Sequence, residues 1–202
     1  PLWQLFFACN VSASCWRFIT VKIEQHWLSE ARHVPSPNFN ERPAGIVPEL
    51  IVVHCISLPP GQFGGAYVEQ FFQNCLCAEE HPYFGEIHNM EVSSHVFIRR
   101  DGEVIQFVPF DKRAWHAGQS CYGERENCND FSIGIELEGT DDSRYEAVQY
   151  ERLKQVIETL VSYYPSLELD ALVGHSDIAP GRKSDPGPFF DWEKLRKALG
   201  LS

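Results

Sequence analysis

The chain is short of positive charge. Its 202 residues hold 17 lysines and arginines against 28 aspartates and glutamates, a formal net charge of −11. General nucleic-acid binding and anionic-membrane binding both need a basic face, so neither partner class is expected. Long hydrophobic runs are also lacking, and no segment reaches the ~20 apolar residues of a transmembrane helix. Internal repeats and low-complexity tracts are absent, and the length fits one domain. The cysteines (Cys9, Cys15, Cys55, Cys75, Cys77, Cys121 and Cys128) are odd in number and show no paired spacing. That pattern argues against a disulfide framework and for a reducing compartment. Cys75-Leu76-Cys77 lacks the two-residue gap of a zinc or redox hairpin, so the cysteines read as small buried hydrophobes.

What is present suits a soluble globular domain: 44% hydrophobic and 22% charged residues, enough to bury roughly 70% of the unfolded surface. Residues 1–22 differ from the rest. They carry Arg17 and Lys22 but no acidic residue, and Leu2 to Ala8 form a short apolar run without a basic flank. We read them as an N-terminal extension, artefactual or disordered, rather than a signal peptide. The domain proper is expected over residues 23–202.

Strands and helices alternate along that domain. Leu50-Ile51-Val52-Val53-His54 reads as a buried strand. Ser94–Ile98 and Val104–Val108 alternate around Asp101-Gly102, a hairpin signal. Phe131–Glu138 is a further strand, and Leu172-Val173-Gly174 a short one. Ala66–Cys75 is expected to be a short helix. Tyr145–Tyr164 carries one apolar stripe (Val148, Leu153, Val156, Ile157, Leu160, Val161), preceded by a Ser143-x-x-Glu146 capping box. Asp191 is expected to cap a last helix ending near Leu199. This is an α/β pattern, a mixed sheet flanked by helices.

The segment Gly174–Pro188 loads one histidine, one lysine and two aspartates into a loop stiffened by prolines and glycines. Functional groups concentrate in loops held on rigid scaffolds. Lys183 and Asp185 are two apart, so in extended backbone they share a side, and Pro186 biases Asp185 toward that geometry. His54 ends a buried strand. Alone, it reads as a hydrogen-bonded core histidine. In Ser132–Glu138, Ile133, Ile135 and Leu137 share one face, and Gly134, Glu136 and Glu138 the other. Gly134 leaves open space beside Glu136. Alone, Glu136 reads equally as the wet face of an antiparallel strand. Together the residues form a set. Catalytic zinc takes three nitrogen, oxygen or sulfur ligands and keeps one position open, and His54, His175 and Asp185 supply them. Such a metal lowers the pKa of its water to about 7. Glu136 would accept the proton and Lys183 would stabilise the oxyanion. His81, His88, His95 and His116 compete as ligands.

These residues carry a resemblance. Arg32–Asn38, Val52–His54, Ile56–Gly61, Ser94-His95, Arg100–Gly102, Arg113–Gly118, Cys128–Thr140 and the Gly174–Pro188 loop resemble segments of the zinc-dependent N-acetylmuramoyl-L-alanine amidases. The likeness covers residues 23–199. It is strongest to the bacterial cytoplasmic branch that cleaves 1,6-anhydro-N-acetylmuramyl peptides in cell-wall recycling. It implies the phage lysozyme and peptidoglycan-recognition-protein type of amidase fold, one zinc on His54, His175 and Asp185, Glu136 as acid/base and Lys183 as oxyanion stabiliser. The reaction implied is cleavage of the amide between the lactyl group of a muropeptide and L-alanine. Substrate contacts fall on Cys55, where the family commonly has asparagine, on His116 in the Trp-His-Ala-Gly segment, and on Arg125. His116 reads equally as a buried structural histidine. An exported amidase acting on intact wall, or a non-catalytic muropeptide-binding module, are the alternatives on the same fold.

Overall fold

The computed structural model describes residues 21–201. The extension expected over residues 1–22 therefore lies, but for Val21 and Lys22, outside the described residues, as do Cys9 and Cys15. Val21 packs against the core and Lys22 hydrogen-bonds to Ser29, so the ordered domain takes in both.

The chain opens with short strands: β1 (Ile23–Glu24), β2 (Trp27–Leu28), β3 (Arg32–His33) and β4 (Phe39–Glu41). Then come β5 (Leu50–Ile56), α1 (Tyr67–Phe72), α2 (Pro82–Ile87), β6 (Val96–Ile98), β7 (Val104–Gln106) and β8 (Lys112–Ala114). The hairpin β9 (Cys121–Tyr122) and β10 (Arg125–Glu126) precedes β11 (Ser132–Glu138). The chain closes with α3 (Ala147–Tyr163), β12 (Leu172–Gly174), α4 (His175–Ile178) and α5 (Trp192–Ala198).

The expected mixed sheet is present, six strands in the order β12-β5-β11-β6-β7-β3. Neighbours among β12, β5, β11 and β6 run parallel, β7 turns antiparallel to β6, and β3 pairs parallel with β7. β5 and β11 are central and buried; β5 accordingly reads as a near-continuous apolar run, while β11 alternates apolar residues with Gly134, Glu136 and Glu138. Alternation divides their side chains. Ile51, Val53, Ile133, Ile135 and Leu137 pack against Leu153, Val156, Ile157 and Leu160 of α3 and Leu195 of α5. On the opposite face, α1 and α2 pack Phe71, Phe72 and Phe84 onto Phe97 and Ile105. Leu50 and Val52 pack with Ala117, Phe131 and Ile178. His54 and Glu136 emerge on that second face, at the C-terminal ends of parallel strands, the usual ligand edge of an open α/β sheet.

Three local expectations are corrected. The cap of α3 is Glu146, not Ser143: Glu146 and Gln149 bond reciprocally, and the Ser143 hydroxyl is taken by Thr140. α1 stops at Phe72, short of Cys75, where Asn74 turns left-handed with φ 59. The described cysteines are unpaired, as expected, but Cys75, Cys77 and Cys121 are exposed and only Cys128 is fully buried.

Candidate active site

His54 is the fifth residue of β5 and lies opposite Glu136 of β11 in register. His175 opens α4 directly after β12, and Gly174 is the hinge between them. The Gly174–Pro188 segment is thus not a loop throughout. Its first residues make one helical turn, fixed where Asp177 Oδ2 accepts the Gly174 N–H at 2.7 Å. The remainder folds back as turns and brings Asp185 against both histidines. His54 Nδ1 is 3.0 Å from His175 Nδ1 and 3.2 Å from Asp185 Oδ2, and His175 Nδ1 is 3.1 Å from Asp185 Oδ2. A tetrahedral ion with bonds of ~2.0 Å needs donor separations of ~3.3 Å, close to this triangle. Among the described residues no other histidine, cysteine or acidic cluster converges this way, so His81, His88, His95 and His116 drop out as competing ligands.

The donor set explains itself chemically. His175 Nε2 is 3.1 Å from the Ala117 carbonyl, to which it can only donate. Its Nδ1 is therefore a bare lone pair facing a carboxylate and a second imidazole, a combination that suits a cation. Burial holds His54 down to about 4, against the pull of Asp185, so its imidazole is neutral. Burial alone would raise the Asp185 carboxyl, but the close approach of the His175 and His54 rings to its Oδ2 outweighs burial and keeps the group below the ordinary carboxylate range. The residues fit a divalent metal.

Glu136 is only 8% exposed, and its Oε2 has no hydrogen-bond partner. Burial, then the Asp185 charge, pushes its carboxyl well above the ordinary value, and Lys183 counteracts them. The alternative of a wet antiparallel strand face is excluded, because β11 is buried between two parallel neighbours. Lys183 is exposed and reaches the site from the returning turn; its charge acts on both His54 and Glu136. All five residues line one cleft of about 540 Å³, together with the apolar side chains of Phe71, Ile87, Met90 and Trp115. The returning turn rests on residues 139–145. The Tyr145 hydroxyl donates to the Pro186 carbonyl at 2.8 Å and Ser184 to Asp141. Gly187, at φ +84, lies so close that a Cβ would meet the Asp141 carbonyl at 2.0 Å.

The expected substrate contacts fare differently. Cys55 borders the cleft, but its thiol packs toward the helix-side core. Burial pushes it up to about 12 even though it is hydrogen-bonded to Tyr145. Arg125 does not line the cleft. It stacks on the Phe131 ring at 3.8 Å and pairs with Glu49 at 2.6 Å, because β9 and β10 carry it to the outer rim. His116 lines the cleft, yet both its ring nitrogens face protein atoms, His54 Nε2 at 2.8 Å and Ser132 Oγ at 3.2 Å. The space expected beside Gly134 is filled by that ring, since a Cβ there would stand 2.5 Å from His116 Cγ. Reading residues alone misses this contact; the one signal for it is a glycine at the centre of an otherwise strong strand.

A buried donor set fit for a cation at the carboxyl ends of parallel strands, with a carboxylate and a lysine on a substrate-sized cleft, suits a hydrolase. The chain belongs to the N-acetylmuramoyl-L-alanine amidase family, whose profile matches residues 43–188, and it is an enzyme of that class. It is 55% identical over 180 residues to the 1,6-anhydro-N-acetylmuramyl-L-alanine amidase AmpD of Enterobacter cloacae, spanning 89% of this chain and 96% of that protein. The crystal structure of a selenomethionine AmpD derivative superposes with a TM-score of 0.85 at 52% identity, covering 88% of this chain and 98% of the other. AmpDh3 of Pseudomonas aeruginosa, solved with an anhydromuramic pentapeptide, aligns at a TM-score of 0.59 and 31% identity, covering 77% of this chain and 61% of that one.

Proposed function

We propose that this amidase takes 1,6-anhydro-N-acetylmuramyl peptides and cleaves the lactyl–L-alanine amide, in the cytoplasmic recycling of bacterial cell wall, with one zinc on His54, His175 and Asp185. The observation that carries the reading is the convergence of those three donors beside a buried carboxylate with an unpartnered oxygen. When bound, zinc polarises the scissile carbonyl and lowers the pKa of water to about 7. The protein's own groups do the rest. Glu136 Oε2 takes the proton of the attacking water and returns it to the leaving L-alanine nitrogen. Lys183, which lines the same cleft, stabilises the negative charge that develops on the carbonyl oxygen. The apolar side chains of Phe71, Ile87, Met90 and Trp115 line the same cleft and offer contact surface for apolar parts of the substrate. The substrate assignment is supported by the 55% identity to AmpD along nearly its whole length.

The test is mass spectrometry of products from an anhydro-muropeptide and from intact wall, with metal analysis of the same sample. We expect a free stem peptide and an anhydro-amino sugar from the former, about one zinc per chain, loss of activity on chelation and recovery with zinc. Full activity in metal-stripped protein would overturn the zinc assignment. Faster release from intact wall would overturn the substrate assignment.

A further inference from the structure

His54 turns its Nδ1 toward His175 and Asp185, so on the zinc reading its Nε2 carries the proton and needs an acceptor. The atom in reach is His116 Nδ1, at 2.8 Å. A proton on His54 Nε2 requires His116 Nδ1 to be bare and His116 Nε2 to be protonated. That second proton points at Ser132 Oγ, at 3.2 Å, and Ser132 in turn donates to the Cys128 carbonyl at 2.6 Å. One proton arrangement satisfies the whole chain. His116 is also boxed in. Its ring occupies the slot that Gly134 leaves on β11 and meets the His54 ring edge to face, 4.9 Å between centroids. The next residue supplies the carbonyl that takes His175 Nε2. Asn129 Oδ1 accepts both backbone N–H groups of this pair, from His116 at 3.1 Å and Ala117 at 2.8 Å.

We propose that His116 is a positioning residue for the metal site: with the adjacent Ala117 carbonyl it forms a rigid dipeptide that fixes the tautomer and ring orientation of both ligating histidines. Partners of this kind raise ligand basicity and hold the ring in place, and their loss typically costs 10–100-fold in metal affinity. With both nitrogens engaged inside the protein, His116 has none left for a substrate.

This inference rests on the zinc reading, and the test separates the two. Zinc affinity is measured by chelator competition on the purified full chain, with melting of the metal-free protein alongside. His116→Phe keeps a ring in the slot but offers no acceptor; we expect zinc affinity to fall ~10–100-fold. His116→Asn places an acceptor oxygen where Nδ1 was, and we expect it to recover most of that loss. A merely structural histidine predicts the reverse order, because Phe fills the slot and Asn does not. Equal affinity in His116→Phe and the unmodified protein, or a loss in His116→Asn as deep as in His116→Phe, overturns the inference. Should His116→Phe fail to fold, Ser132→Ala decides: we expect weaker zinc binding, up to about tenfold, and unchanged affinity overturns the inference. Failure of the unmodified protein to bind zinc overturns the zinc reading instead.

Discussion

Replacing Glu136 with glutamine should make the metal-free protein more stable and the zinc-loaded enzyme far less active. The carboxylate is buried, and its Oε2 has no partner. An unsatisfied buried polar group costs ~1–3 kcal/mol, and glutamine keeps that cost; what it sheds is the extra cost of a charge, on the order of a further 1–3 kcal/mol. In a chain of this size 1 kcal/mol moves the melting temperature by ~2–4 °C, so the variant should melt about 2–12 °C higher near neutral pH. The sign of the pH dependence follows from the direction of the shift. The folded protein holds the Glu136 proton more tightly than the unfolded chain does. Stability of the unmodified protein therefore falls as pH rises from the ordinary value of 4.5 toward the raised folded one. Glutamine does not titrate. The gap between the two proteins should vanish below about pH 4, open through the window above it and level off beyond the folded pKa. Titrating groups remote from Glu136 are common to both proteins and cancel in the difference; Asp185 interacts with Glu136 but is held below the ordinary carboxylate range, so it titrates beneath this window. The assay is calorimetry in chelator across that range, paired with turnover of the zinc-loaded enzymes, where loss of a general base costs ~10²–10⁴-fold. A variant that melts lower at pH 7, or a gap that does not change with pH, would refute the argument that Glu136 is strained by burial.

Lys183→Ala should lower turnover by ~100-fold or more, the scale of one lost oxyanion stabiliser, with metal content held near one zinc per chain; loss of zinc would make the lysine structural instead. Gly134→Ala should destabilise by ~1–3 kcal/mol through overpacking, because its Cβ would stand 2.5 Å from His116 Cγ. Displacing that ring should also weaken zinc binding, and an unchanged melt would mean the slot has slack.

The central strands were legible because β5 is an apolar run and β11 alternates strictly, and period-two alternation then assigns every residue to a face. That logic put His54 with Leu50 and Val52, and Glu136 with Gly134 and Glu138; that the two faces lie on one side of the sheet comes from the register of β5 against β11. Partnership between His175 and Asp185 was legible for a different reason, since ten residues of proline- and glycine-bounded chain separate them. What stayed hidden depends on contacts between distant segments. Nothing local in Trp115–Gly118 says that His116 enters the space of Gly134, and nothing local in Arg125 says that Glu49 and Phe131 hold it at the rim. The α3 cap was misplaced because Ser143 and Glu146 both satisfy the local pattern, and only the competing bond from Thr140 to Ser143 decides between them.

The seat of the returning turn on residues 139–145 bears on engineering. Asp185 and Lys183 are carried by one short piece of chain, and that piece is held by the Tyr145 hydroxyl on Pro186 and by the contact of Gly187 with Asp141. The proposed metal ligand and the proposed charge stabiliser are thereby delivered as a single cassette. Swapping substrate range by exchanging the cleft's apolar wall leaves this cassette untouched. Grafting Gly174–Pro188 alone onto another sheet would not, because the graft would leave its foundation behind; the smallest transplantable unit includes Gly139–Tyr145 as well.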